Sequence, residues 1–417
     1  MVPLKLSIIV TSMVLALVGL YFLFYVYLAS KNFKAALGIL IIFLPSYFVR
    51  FNFGPIPSNL LEVTFGGLFL VWLFKYAKID WLQVKIFFEE KKVFCYFFLF
   101  FLLASIIGII VAQNWLLALG IWRAYFLEPI LLVLILIARR QEIKREDLIW
   151  FLAISTVSVS VLAIVQKLTG KFYSPTLDVA ELHGRVTSFF TTPNAIGLYI
   201  APILPLMAIG LKDKKKKPAY LAIILLALLA IILSFSEGAL LAILLSVIVA
   251  IYLLGYKKIA TIVVLSGLVL ALLSTPLRQN LAFQNQSGQN RVVIWGYTWE
   301  HLTKNPDNFI LGAGLRSWFD RVQKPVNNFK KIEPLIYPHN IFLNFWSETG
   351  LLSMIGFVSI YIYLLCTAWH KYQREKILGV ALISSLLIFL IHGLVDVPYF
   401  KNDLSFLWWL LAAVILL

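Results

Sequence analysis

Charge is scarce in this sequence. Asp, Glu, Lys and Arg make up 13% of it, against 61% hydrophobic residues. A soluble domain carries about one charged residue in four and is roughly half apolar. A water-soluble globular fold is therefore excluded for most of the chain. Acid is scarcer than base, with 20 Asp and Glu against 36 Lys and Arg, a net charge of +16. Cysteine is nearly missing. Cys95 and Cys366 both lie within apolar runs and form no metal-type cluster, so both read as packing residues. There is no Gly-rich phosphate loop ending in Lys-Ser/Thr and no HExxH. No paired-aspartate cluster stands in the segments expected outside the membrane. No metal, no ATP and no other cofactor is expected. Nor is a nucleic-acid partner, because the cations sit in short loops between apolar runs, where membrane orientation explains them.

What is abundant is apolar runs long enough to cross a bilayer. They read as spans near 6–29, 35–49, 59–74, 93–112, 118–138, 148–168, 190–211, 218–235, 238–255, 259–274, 346–368, 376–395 and 404–417. The first run, Leu6 to Ala29, is too long for a signal-peptide core and is expected to stay as a span. No short-period internal repeat is visible. The fold class expected is an all-α polytopic membrane protein of about 12–13 transmembrane helices. Residues 1–274 supply about ten spans, 275–338 form one large extracytoplasmic loop containing amphipathic helices, and 339–417 supply about three spans. Basic loops at Lys31/Lys34, Lys75 to Lys92, Arg139 to Arg145, 212–217, Lys257/Lys258 and Lys371 to Lys376 set the cytoplasmic side. Thirteen spans then put the N-terminus outside.

The 275–338 segment falls outside, yet is basic: Arg278, Arg291, Lys304, Arg316, Arg321, Lys324, Lys330 and Lys331 face only Glu300, Asp307, Asp320 and Glu333. Long loops tolerate charge. The other reading is an anion site, since the planar guanidinium fork suits phosphate. Val292, Trp295 and Trp299 recur at helical spacing, and Gly312 and Gly314 announce a tight turn before Leu315, Trp318 and Phe319.

His339 stands where this polar stretch enters an apolar run. It is either an interfacial residue starting a helix, with Asn340 as cap, or a general base at the membrane surface. Glu348 orients a partner or snorkels to the interface. Arg185, before Pro193-Asn194 opens a span, is either a snorkelling anchor or a headgroup ligand, with His183 as a bystander. Arg123 and Glu128 are expected to pair. His392 and Asp396 are expected on one helix face, four residues apart. Glu237 marks a hinge between two spans.

The segments "GRVTSFFTTPNAIGLYI", "SFSEGALL", "NRVVIWGYTW", "LGAGLRSWF" and "PHNIFLNFWSETG" occur in that order. Together they resemble the O-antigen ligase / O-antigen polymerase (Wzy-like) superfamily of membrane glycosyltransferases, of the GT-C class. The resemblance covers roughly residues 100–417; "RFNFGPIPSNLLEV" and "HGLVDVPYFKNDLSFLW" add to it less specifically. It implies a multi-pass protein of the bacterial cytoplasmic membrane with its active site on the periplasmic or extracellular side. The implied partners are a polyprenyl (undecaprenyl) diphosphate-linked glycan donor, a glycan, lipid or protein acceptor, and membrane lipids. By resemblance, Arg185 and Arg291 hold the diphosphate, with Arg316 and Arg321 as further candidates. His339 is the base or positions the acceptor, Arg291 and Glu348 share the catalytic site, and Asn194, Glu237, Asn340, His392 and Asp396 are candidates for support. Many relatives carry Ser-Arg-Gly at the hinge; here it is Ser236-Glu237-Gly238. Arg316, Arg321 or Lys324 then replaces the missing cation, or Glu237 pairs with Arg185 or Arg291.

Two other classes remain. A transporter or flippase for a lipid-linked glycan suits the many spans, but inverted repeats and broken midplane helices are not seen. A non-catalytic scaffold would tolerate loss of His339.

Overall fold

The computed structural model describes residues 2–53, 56–175, 177–275, 279, 282–327 and 335–417. It is 78% helical with almost no sheet, an all-α polytopic membrane protein. Arg278, Lys330, Lys331 and Glu333 of the basic segment lie outside the described residues. In chain order come α1 (Val2–Lys31), α2 (Phe33–Ile42), a hairpin of β1 (Arg50–Phe53) and β2 (Ile56–Asn59), α3 (Leu60–Glu90), α4 (Lys92–Val111), α5 (Trp115–Ala138) and α6 (Arg145–Thr169). Then follow α7 (Asn194–Gly210), α8 (Lys217–Ser234), α9 (Glu237–Leu253), α10 (Lys257–Leu273), α11 (Gln286–Thr303) and α12 (Pro306–Leu311). α13 (Ile341–Thr349), α14 (Leu351–Arg374), α15 (Lys376–Gly393) and α16 (Asn402–Leu416) close the chain.

Among the described residues, eight helices are long and apolar enough to cross a membrane: the Met13–Lys31 part of α1, and α3, α4, α5, α6, α8, α14 and α15. The helices α2, α7, α9 and α16 are apolar and shorter.

Three local features depart from the run-length reading. The Lys75–Lys92 stretch, expected as a loop, is helical almost throughout, because α3 continues through a wide turn at Trp72–Tyr76 to Glu90. Asp80 anchors it by accepting from the Trp72 indole at 3.0 Å and from Arg139 at 3.2 Å, while the Arg139 guanidinium lies 4.0 Å from the Tyr76 ring centroid. A buried carboxylate on this face needs such donors. Second, the span expected from 346 starts at Leu351, after a break at Gly350. Third, α11 buries Ile294, Thr298 and Leu302, while Val292 and Trp299 are exposed and Trp295 sits half-buried on the flank.

The last helix, α16, is the centre of the bundle and is buried along its whole length. Lipid is as apolar as Leu, so helix association in a membrane relies on close packing and hydrogen bonds. Here the packing is aromatic. Trp408 lies 4.4 Å from Phe389 and 5.3 Å from Phe357, centroid to centroid, and Phe345 stacks on Phe357 at 4.3 Å. The Trp409 indole donates to the Tyr399 hydroxyl at 3.1 Å, which donates to the Tyr125 carbonyl at 2.9 Å. Arg123 of α5 pairs with Glu128 at 3.1 Å, as expected, and also with Glu62 of α3. This aromatic column supports the segment 392–401 between α15 and α16.

Trp408→Ala empties a fully buried indole site and is expected to cost about 3–5 kcal/mol. It should be read as a lowered Tm in lipid nanodiscs. Phe74→Ala, on a side chain that is 83% exposed, should leave Tm nearly unchanged.

Candidate functional site

The site is built on a short turn. The helix α15 ends at Gly393, and Leu394, Val395, Asp396 and Val397 reverse the chain toward α16. Three outside residues clasp this turn. Asn340 Nδ2 donates to the Leu394 carbonyl at 3.0 Å, and Arg291 Nε donates to the Val395 carbonyl at 2.9 Å. Asn194 Nδ2 donates to Asp396 Oδ2 at 3.5 Å. The expectation that His392 and Asp396 share a helix face is corrected here. The helix has ended before Asp396, so the carboxylate turns away to His339, with His339 Nδ1 and Asp396 Oδ1 3.1 Å apart. The same oxygen accepts from the Val397 amide at 2.8 Å.

Asp396 is 5% exposed and His339 is 23% exposed, so one edge of the imidazole reaches open space. Burial alone would raise the Asp396 carboxyl. The adjoining imidazole, its hydrogen bond, His392 and the Val397 amide outweigh burial and hold it well below the usual carboxylate range. An ionised Asp396 can only accept, so Nδ1 of His339 donates to it and Nε2 is the ring nitrogen left to face other groups. His339 itself has φ +50°, the left-handed region that non-glycine residues rarely enter. It is held there from both sides. Trp295 of α11 donates its indole to the Pro338 carbonyl at 2.9 Å, and Asn340 caps α13 by accepting from the amides of Phe342 and Leu343. Strain retained this way clusters at functional sites.

Arg185 joins the same chain of contacts. It donates to Asn194 Oδ1 at 2.8 Å and to the Ser234 carbonyl at 2.8 Å. Arg185, Asn194, Asp396 and His339 thus form one hydrogen-bonded line. Arg291 and Glu237 both act electrostatically on Arg185. Partial burial is the first cause lowering the Arg185 guanidinium from its ordinary value, with Arg291 adding to it and Glu237 opposing it. His392 is buried behind this line, and the sequence makes room for it. A methyl group on Gly238 would stand 2.9 Å from His392 Cδ2, which accounts for the glycine in "SFSEGALL".

The other sequence candidates lie elsewhere. Glu348, 5% exposed, accepts from the Arg316 amide; nothing joins it to His339 among the described residues. It anchors a turn in which Gly312 and Gly314 have φ +75° and +92°. A Cβ at Gly314 would meet Ala112 backbone atoms at 2.7 Å, so only glycine fits. Arg321 Nη1 donates to the Ala313 carbonyl of the same turn at 2.8 Å. Arg316 is exposed and His183 is exposed. Sequence reasoning passed over Trp295 as a support for His339, Tyr337, whose ring packs beside His339, and Arg50, Tyr125 and Lys401. Two of these, Arg50 and Lys401, stood in the less specific segments.

Gly238→Ala is expected to displace His392 and to lower stability by about 1–3 kcal/mol, read as Tm in nanodiscs. Glu348→Gln keeps an acceptor for the Arg316 amide and should stay within about 1 kcal/mol of wild type, whereas Glu348→Ala orphans that amide and should cost about 2–4 kcal/mol. Equal effects of the two would contradict the anchoring role.

No curated protein matches the chain. Residues 222–358, from within α8 to within α14, match the family model described as O-antigen ligase. The matched segment contains Glu237, Arg291, Arg316, His339 and Glu348, while Arg185, Asn194 and Asp396 lie outside it; Arg185 bonds to it at Ser234 and Asp396 at His339, with Asn194 bonded to both of these outside residues. The ordered motifs and this match agree in direction: residues 222–358 are similar to the O-antigen ligase family.

Proposed function

We propose that this chain moves a glycan from a polyprenyl diphosphate carrier to an acceptor hydroxyl at the outer face of a bacterial cytoplasmic membrane, without metal or nucleotide. The family match over residues 222–358 supports O-antigen ligase-type glycan transfer; the carrier, the residue roles and the membrane side are our reading. The observation that carries it is the line Arg185–Asn194–Asp396–His339 with Arg291 beside it.

Asp396 holds the Nδ1–H tautomer, and His339 Nε2 takes the proton of the acceptor hydroxyl. The hydroxyl oxygen bonds to the anomeric carbon of the donor sugar. The bond from that carbon to the diphosphate oxygen breaks, and its electron pair leaves with the polyprenyl diphosphate. Negative charge builds on the leaving group, where Arg185 and Arg291 stabilise it more in the transition state than in the ground state. Both guanidiniums are held by backbone carbonyls before substrate arrives, so little reorganisation remains at the moment of reaction.

The test is donor consumption by the reconstituted full-length protein, with an undecaprenyl-diphosphate-linked oligosaccharide and a panel of acceptors. His339→Asn is the informative variant, since Asn tolerates positive φ. It should lower the rate by about 10²–10⁴-fold at unchanged Tm. Asp396→Asn should lower kcat with little change in donor binding, and Arg291→Ala should weaken donor binding. Wild-type rates in all three variants, with donor carried across the bilayer, would replace this reading by transport.

A further inference from the structure

The transfer line leaves two of the sequence segments without a role. Each supplies a cation, Arg50 and Lys401. The structure joins the two segments through Glu62. Arg50 pairs across the hairpin with Asn59. Asn59 Nδ2 donates to Glu62 Oε1 at 2.7 Å, and Asn402 Nδ2 donates to the same oxygen at 3.0 Å. Lys401 immediately precedes Asn402, so the hairpin and the start of α16 are tied at one point. Arg316 comes from a third direction, on the glycine turn that Glu348 anchors.

Contacts link the three cations to one region: Tyr399, just before Lys401, donates to the Tyr125 carbonyl, and Arg316 shares a cavity with Leu335 and Ile336, next to Tyr337. All three act electrostatically on the Tyr125 hydroxyl, and Lys401 and Arg316 also on Tyr337. The Tyr337 ring centroid lies 5.1 Å from that of His339, and the Arg50 guanidinium lies 5.9 Å from the Tyr47 ring centroid. Asp396 acts on both Tyr337 and Lys401, so the cluster meets the transfer site at the His339–Asp396 pair. Among the described residues none of the three cations is in an ion pair. Asp403 acts on both Lys401 and Arg50, Glu348 acts on Arg316, and Asp396 is already committed to His339. Three cations thus face two carboxylates, which leaves positive charge beside His339, framed by tyrosines. A cavity of about 240 Å³ opens next to Arg316, lined also by Phe319, Asp320, Leu335 and Ile336.

We infer that Arg50, Arg316 and Lys401 form an anion subsite for the acceptor, separate from the Arg185/Arg291 pair that takes the donor. The sugar unit that brings its hydroxyl to His339 carries a phosphate or a carboxylate. The inference rests on the transfer reading. Two opposing cation sets solve a charge problem, because each substrate is held by its own set while His339 and Asp396 face the bond being made. Arginine forks bind either anion in paired, charge-assisted hydrogen bonds, and tyrosines present both an apolar face and a hydroxyl to a sugar.

The test measures binding, without turnover, to the full chain in nanodiscs. The probes are glucose 6-phosphate, methyl glucuronide, neutral methyl glucoside and inorganic phosphate, with the polyprenyl-diphosphate donor measured separately. Wild type should bind one or both anionic sugars at least tenfold more tightly than methyl glucoside, and more tightly than inorganic phosphate; which of the two binds identifies the anion. R50Q/R316Q/K401Q should lose that preference and keep donor binding, whereas R185Q/R291Q should keep the preference and lose donor binding. The single variant K401Q reads the same preference if the triple variant does not fold. An unchanged preference in R50Q/R316Q/K401Q, or in K401Q, overturns the inference. So does loss of donor binding in R50Q/R316Q/K401Q, which would make the cluster the donor site. Failure of wild type to consume donor would instead strike the transfer reading, which these binding arms do not touch.

Discussion

Everything near the site depends on one hydrogen bond, between His339 and the Asp396 carboxylate. A buried carboxylate with no donors is expensive in any medium and more so beside lipid. Asp396 is satisfied by the His339 ring, the Val397 amide and the Asn194 amide group. Those donors come from three separate parts of the chain, and meeting this one anion fixes them relative to each other. The cost of burying the charge becomes the constraint that orients the imidazole.

Rigidity is supplied from beneath and behind. The column around Trp408, Trp409, Tyr399 and Phe345 fills the space under the 392–401 segment. Positive φ at His339, the clasp of Asn340 and Arg291, and the Trp295 bond to Pro338 hold the segment from the other side. The second anchor, Glu348 under the Arg316 turn, is built in the same manner, from a buried carboxylate and a backbone amide. Two buried acids thus fix two turns, Asp396 the one beside His339 and Glu348 the one that carries Arg316.

Run length and cation spacing made the helical, membrane-embedded fold legible, because crossing a bilayer demands unbroken apolar helices. His339, Arg185 and Arg291 were legible as polar residues in motifs of a recognisable order. The partner of His339 was not. The apolar run continues through Leu394 and Val395, so nothing in the periodicity marks the end of α15 at Gly393, and Asp396 seemed to belong with His392. Helix ends inside apolar runs leave little trace in composition. The roles of Arg50 and Lys401 were hidden for another reason. Each is a single cation in its own segment, and the two segments meet only in the fold, where Asn59 and Asn402 both bond to Glu62. Glu348 illustrates a different limit, since its carboxylate accepts from the backbone of the Arg316 turn, a contact that neither spacing nor motif order announces.

The most direct test is an experimental structure of the His339→Asn protein in nanodiscs, loaded with an undecaprenyl-diphosphate-linked oligosaccharide that it cannot turn over. The account places the diphosphate on Arg185 and Arg291, with the anomeric carbon facing position 339 and Asp396 still bonded to Asn194. A diphosphate seated on Arg316 and Lys401, or an anomeric carbon remote from position 339, would contradict it.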